Sequence, residues 1–362
     1  MRVLHGLLAI AVAVGTAALL GPIFEIWKPP AQCRDLFGVQ GMPLPSPEGV
    51  ADPFLRLGIP SIDNQVCGLT KFFEECRDYP TPLVALLTHA LIFSPAISVG
   101  LFVSVEATRK LASGPASWAS FISFLSQYLG ISFAIPAVWF PAFLYSYATP
   151  LSLPKSSKHA PTDVSLGSPL LLGFIGAMSA LQASVFLYLG FARGPHYGTF
   201  FFVFQFLPIV VPWLWPLLQL VGRRPSSTEA ASHASVAASQ IYFTFAVFLA
   251  LHHWIGFVAP LMTTPDATPQ AILTTLLAFL REMPSTPQFL PTWFLLIDGL
   301  SLTLTSALVV ASQQANVATA VLVFLGFFIQ AIFLGSGATL MLFAGTREAA
   351  IRRVHFAAKK AD

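Results

Sequence analysis

An aspartate inside an apolar run is the residue of this sequence with the clearest chemical potential. Asp298 lies about two turns into the stretch 291–310, and Gly299, Ser301, Thr303 and Thr305 follow it. A carboxyl group buried among such neighbours favours its neutral form and can pass a proton to a substrate. The competing reading is a structural hydrogen bond to a neighbouring helix. His252 and His253 stand in another apolar run beside Trp254. Histidine titrates nearest neutrality, so an imidazole there can hold a proton or exchange one with a carboxyl group. Adjacent positions differ by about 100 degrees around a helix, so the two rings face different partners; His252 is preferred as the proton acceptor. Asp63 and Glu25 are expected on one side of a membrane, close enough to approach one pocket mouth. Asp63 is alternatively an acid in the first turn of its helix, favoured there by the dipole. His89 and Glu106 belong to the run 83–105 and its edge, and Glu106 has Arg109 nearby for a salt bridge. Gln127, Gln182, Gln205, Gln240 and Gln330 are neutral polar groups within apolar runs, suited to lining a cavity or joining helices.

The elements that must position these groups are membrane spans. The 362 residues are 55% hydrophobic and 10% charged, with mean hydropathy +0.73, where soluble chains are about a quarter charged. Runs of spanning length occur at 3–24, 83–105, 118–147, 169–191, 200–220, 237–260, 291–310 and 318–343. The sequence therefore predicts one domain over 1–362, an all-α polytopic membrane bundle of about eight transmembrane helices. The first run is read as an uncleaved span, because it is longer than a signal-peptide core and lacks a small-residue cleavage site. The third carries Pro136 and Pro141, so it is kinked or extends beyond the bilayer, and either geometry opens space between helices.

Charge sets the expected orientation. Arg347, Arg352, Arg353, Lys359 and Lys360 follow the last run, which places the tail 346–362 in the cytosol and, with eight spans, the N-terminus beside it. Arg109, Lys110 and Arg193 agree; Lys155, Lys158, Arg223 and Arg224 fall on the wrong side, as one miscounted span would explain. The terminal Lys359 and Lys360 resemble a di-lysine retrieval signal of the endoplasmic reticulum. The segment 25–80 is then lumenal. Its Pro-rich first half reads as loop, and from Ser61 an amphipathic helix is expected, with Ile62, Val66, Leu69, Phe72 and Phe73 on one face and Asp63, Asn64, Lys71, Glu74 and Glu75 on the other. A second short helix is expected over 271–282. All three cysteines, Cys33, Cys67 and Cys76, lie in this segment, and an oxidising lumen favours Cys33 pairing with Cys67 or with Cys76.

Several chemistries lack their residues. The sequence has no zinc-spaced Cys/His cluster, no haem-cysteine context, no nucleotide-binding glycine loop and no aspartate-rich pair for a diphosphate's magnesium. No metal and no cofactor is expected. No basic face with interleaved aromatics suggests nucleic acid; the expected partners are membrane lipid and an apolar small-molecule substrate. The 33 Phe, 7 Trp and 7 Tyr suit such a ligand, and inward-facing rings stabilise positive charge.

The eight-run layout, a first span ending near Glu25, and the segment Gly58, Ile59, Pro60, Ser61, Ile62, Asp63 followed by Cys67, Leu69, Phe72 and Phe73 resemble a group of fungal integral-membrane proteins of secondary-metabolite clusters. The group includes the terpene cyclases of ascofuranone and ascochlorin biosynthesis and the epoxide-opening enzymes of aurovertin-like and citreoviridin-like polyene pyrones. The resemblance implies cofactor-independent acid/base opening of an epoxide on an apolar terpenoid, meroterpenoid or polyene. Attack by an alkene gives a carbocycle, by a hydroxyl a cyclic ether, and by water a diol. On burial grounds the acid is assigned to Asp298 or Asp63, proton acceptance to His252 and supporting polarity to Glu25. His253, Trp254, Gln127, Gln182, His89 and Glu106 are expected around the substrate. A proton-coupled transporter is the competing class.

Overall fold

The computed structural model describes residues 2–28, 33, 59–77, 81–147, 150–156, 159–191, 197–214, 217, 225–264, 267–281, 283, 286 and 289–356. Every regular element among them is helical, and seven helices are long and apolar enough to cross a membrane. The chain is an all-helical, membrane-inserting protein. The di-lysine ending, Arg193, Arg223, Arg224 and most of the Pro-rich segment lie outside the described residues.

The helices are α1 (Arg2–Ile26), α2 (Pro60–Arg77), α3 (Pro82–Ala107), α4 (Ala119–Leu129), α5 (Ile131–Ser146), α6 (Pro169–Phe191), α7 (Tyr197–Val210), α8 (Thr228–His253), α9 (Pro269–Arg281), α10 (Leu290–Ser312), α11 (Val317–Leu334) and α12 (Ser336–His355). The bundle has two distinguishable ends. At one, a disulfide joins Cys33 to Cys67 on α2, and Trp27 after α1 donates to Glu75 at 3.1 Å. At the other, Glu106, Arg109, Arg347 and Glu348 meet. The α2 and α9 helices appear where amphipathic periodicity placed them. On α2, however, Asp63 is fully buried, although it was expected on the polar face.

Two of the expected runs are each divided into a pair of helices. The run 118–147 breaks at Gly130, whose φ of 92° is a conformation that side chains with a Cβ rarely adopt. Helix α4 climbs from the Arg347 end to that glycine, and α5 returns, so that Ser113 before α4 donates its backbone N–H to Ser146 at the end of α5 (3.1 Å). The run 318–343 breaks at Gly335, φ 82°. There α11 rises to the level of Ser94, midway along α3, which accepts from Gly337 N at 3.0 Å. Helix α12 then descends until Arg347 donates to Gln313, the residue just before α11's loop, at 3.2 Å. Both segments are helical hairpins whose outer ends lie near the Arg347 end of the bundle. Apolar length alone does not separate such a hairpin from a crossing, and in each case a single interior glycine makes the difference.

Proline accounts for a second irregularity. Pro141 and Pro260 have no N–H to donate and crowd the carbonyl four residues back. In both places the helix widens to a π turn, at Ile135–Trp139 within α5 and at Trp254–Val258 after α8. Beyond the second, a short helix, Ala259–Thr263, completes α8's path.

Candidate functional site

The tip of the first hairpin meets α10 at Asp298. Ser132, two residues past Gly130, donates its hydroxyl to Asp298 Oδ1. Ser301, one turn further along α10, donates to the Ser132 carbonyl (3.3 Å) and accepts from Thr16 of α1 (3.0 Å). Three residues on three helices thus fix the carboxyl group, and Asp298 is only 4% exposed. The positive φ of Gly130, rather than any lack of room for a Cβ, is what the turn beside Asp298 demands.

Asp298 stands on the wall of a cavity of about 520 Å³, well within the range of small-molecule sites. Because the α4–α5 hairpin stops partway across, space that a full span would occupy is left open above its tip. Phe72 and Phe73 of α2, Phe186 of α6, Phe204 of α7 and Phe294 of α10 contribute apolar surface. Gln127, Gln182 and Gln205 line it from α4, α6 and α7, while Trp27, Lys28 and Gln65 lie toward the disulfide end. Asp298 is the one carboxyl group among the described lining residues.

The other expected site residues go elsewhere. Asp63 lines no cavity described here, and Glu25 lies in the last turn of α1 with its side chain outside the described residues. His252 and His253 diverge, as their 100-degree offset requires. His252 Nε2 is 3.3 Å from His89 Nε2 and its ring lies on Phe93, whereas His253 donates to the Ile332 carbonyl (3.0 Å) at the top of α11. His89 lines a second cavity, of about 370 Å³. Trp254 is half exposed on the outer surface, and neither it nor His253 lines a cavity described here. Gln240 and Gln330 also face outward.

Glu106 is not a substrate contact but the centre of a buried ionic cluster. It accepts from Arg109 (2.8 Å), Arg347 (2.9 Å) and the hydroxyl of Tyr147 (3.0 Å). Glu348 accepts from Arg109 as well, and Ser235 of α8 donates to Glu348 at 3.3 Å. Two cations and two anions therefore balance, each at most 3% exposed. Ser132, Gly130, Tyr147 and Glu348 escaped the sequence reading. The signal available for the first two was a glycine inside an otherwise continuous apolar run.

Two buried acids emerge with opposite surroundings, one paired with cations and one held by Ser132 at the wall of a cavity. Among known proteins, no family model, curated protein or solved structure matches the chain, so any reading of this site rests on its own geometry and chemistry.

Proposed function

We propose that the protein is a membrane-embedded, cofactor-independent acid/base enzyme that opens an epoxide on an apolar substrate and cyclises it. The observation that carries the reading is Asp298: a buried carboxyl group bound to the Ser132 hydroxyl and to no cation among the described residues, at the wall of an aromatic cavity. Ionisable groups held inside a membrane protein without charge pairing are functional by default. In the reaction, the Asp298 carboxyl proton goes to the epoxide oxygen as a C–O bond breaks. An alkene or hydroxyl of the same molecule bonds to the electron-poor carbon. The proton that the new ring then loses returns to the Asp298 carboxylate, so product and substrate are isomers. If water attacks instead, the product gains one water. The Phe faces stabilise the cationic path, and exclusion of bulk water protects it. The resemblance of the 58–73 segment to fungal epoxide-opening cyclases supports the same substrate class. His252 does not line the Asp298 cavity, so proton return is assigned to Asp298 itself.

The proposed topology has α1, α3, α6, α7, α8 and α10 as through-going spans and two hairpins entering from the cytosol, with both termini cytosolic in the endoplasmic reticulum. This reading moves the sequence's misplaced cations to the cytosolic side. The turn Pro154–Ser156, which carries Lys155, bonds to His355 through Ser156 at 3.1 Å, and α8 begins at the Glu348 end. A cysteine introduced at Ser226 is expected to react with an impermeant reagent from the cytosolic face only.

The decisive experiment supplies membranes containing the protein with farnesylated aromatic epoxides and polyene bisepoxides, and measures product masses. An isomeric product that disappears in Asp298→Asn supports the cyclase, and a gain of water supports a hydrolase. A proton-coupled transporter is the second reading, favoured by the two hairpins meeting the bundle at mid-depth. It predicts unchanged compounds that accumulate in vesicles under a proton gradient.

A further inference from the structure

The second cavity shares Phe73, Ile92, Phe186 and Leu295 with the Asp298 cavity, so four side chains form a common waist. Leu295 is one helical turn before Asp298 on α10, which puts the acid about 4.5 Å along the helix from that waist. The two chambers differ in what they offer a ligand. In the first, Gln127, Gln182 and Gln205 on three helices line the cavity and make no side-chain hydrogen bond among the described residues. In the second, polar groups are already engaged: Thr88 donates to the Val84 carbonyl at 2.9 Å, and His89 pairs with His252. The rest of the lining is mostly hydrocarbon, from Pro82, Ala85, Leu86 and Leu189, with Cys76 and Tyr197 beside them. From Ile92 to Pro82 this lobe follows α3 for about 15 Å, toward the disulfide end.

We propose that the two cavities are one bipartite site, in which the second lobe takes the hydrocarbon tail of the substrate and measures its length. The inference rests on the proposed enzymatic reading and specifies its substrate: a linear molecule whose oxygenated, reacting part lies among the glutamines beside Asp298. Its unfunctionalised chain passes Phe73 and Phe186 and ends near His89 and Gly190. A mostly hydrocarbon lobe gains little from a polar chain and costs the desolvation energy of each polar atom left unpaired. Tail recognition is therefore by fit and apolar contact. Ala85 of α3 and Leu189 of α6 both line this lobe, and side-chain size at either position sets its usable length.

The test reads binding without turnover. Linear aliphatic alcohols of increasing chain length, each with a terminal diazirine, are photolysed with the full-length protein in lipid nanodiscs, and the modified residues are mapped by peptide mass spectrometry. Longer probes are expected to label 82–92 and 186–190, and shorter ones the residues around Asp298. Replacing Ala85 with Phe, or independently Leu189 with Trp, is expected to abolish second-lobe labelling by the longer probes and leave that of the shorter ones. Melting of each variant establishes that it is folded. Labelling confined to the Asp298 chamber at every chain length, or unchanged by both substitutions, overturns the proposal. A protein that labels as expected yet converts no epoxide would sink the enzymatic reading and leave the bipartite site standing.

Discussion

Asp298 and Glu106 are both buried acids in the apolar interior, and their surroundings give them opposite meanings. Glu106 is enclosed by Arg109, Arg347 and Tyr147, with Glu348 balancing the second cation. Every oxygen of Glu106 is occupied by a protein donor, so no capacity is left for a substrate. Its contacts join α3 to the ends of both hairpins, Tyr147 closing the first and Arg347 lying on the returning arm of the second. Asp298 instead has one hydroxyl partner and an open face toward a cavity. Burial is common to both groups; pairing with cations separates Glu106 from the acid to which the proposed chemistry is assigned. The two are also connected, since the cluster anchors the base of the hairpin whose tip holds Asp298.

The largest expected effects pull the two acids apart. Asp298→Asn keeps the shape and an oxygen for Ser132 to donate to, but removes the transferable proton. Conversion of the epoxide should fall by about 10²–10⁴-fold, the usual contribution of a positioned acid, while the melting temperature in detergent stays near that of the unaltered protein. Glu106→Gln should do the reverse. Leaving two buried guanidinium groups with one anion costs about 3–5 kcal/mol, visible as a sharp loss of thermal stability, with the remaining folded fraction still active. Equal destabilisation by both substitutions would erase the distinction drawn between the acids.

The hairpin tips sharpen the same contrast at smaller magnitude. Gly130→Ala and Gly335→Ala each force a Cβ into a positive-φ conformation, at about 1–2 kcal/mol. At Gly335 the added carbon would also approach His253 Cβ to 3.2 Å, and the expected result is lower stability with unchanged turnover per folded molecule. At Gly130 the added carbon enters ordinary contact with Asp298 Oδ1, so turnover per folded molecule should fall as well. Activity normalised to folded protein, measured for both variants, separates a tip that shapes the site from one that shapes the bundle.

Much of the fold was legible because apolar length and amphipathic spacing are written locally. The first span, α2 with its Phe72 and Phe73 face, α9 and the apolar run around Asp298 all appear where the sequence placed them. The hairpins were not legible, because a 26- or 30-residue apolar run satisfies the length of a crossing, and the turn depends on one glycine's dihedral angle. On the proposed topology, reading 118–147 as a crossing is what set Lys155 and Arg223 against the charge bias. At the site, Asp298 stood out as a lone acid in an apolar run, and the structure places it at a cavity. Ser132 did not, since serines in apolar helices are frequent and only the long-range meeting of residues 132 and 298 gives this one meaning. Glu106 was read through its neighbour Arg109 alone; Arg347 and Glu348, more than two hundred residues away, complete its surroundings.

Cys76 offers the smallest effect and tests whether the second lobe is dry. It lies on α2, outside the membrane-spanning helices, on that lobe's wall, and it is the free cysteine once Cys33 and Cys67 pair. Burial pushes its thiol up to about 12, because desolvation penalises the thiolate. The thiolate is the nucleophile, and below the folded pKa the neutral thiol dominates, so maleimide at neutral pH should leave the native protein unmodified. Unfolding without reductant should release one reactive thiol, and reduction should raise the count to the three cysteines of the sequence. Brisk labelling of the native protein would show water and reagent reaching the lobe freely. The contrast between a polar chamber around Asp298 and a hydrocarbon chamber beyond Phe73 would then fail, and the carboxyl group would face a continuous aqueous channel, which is the geometry that the transport reading requires.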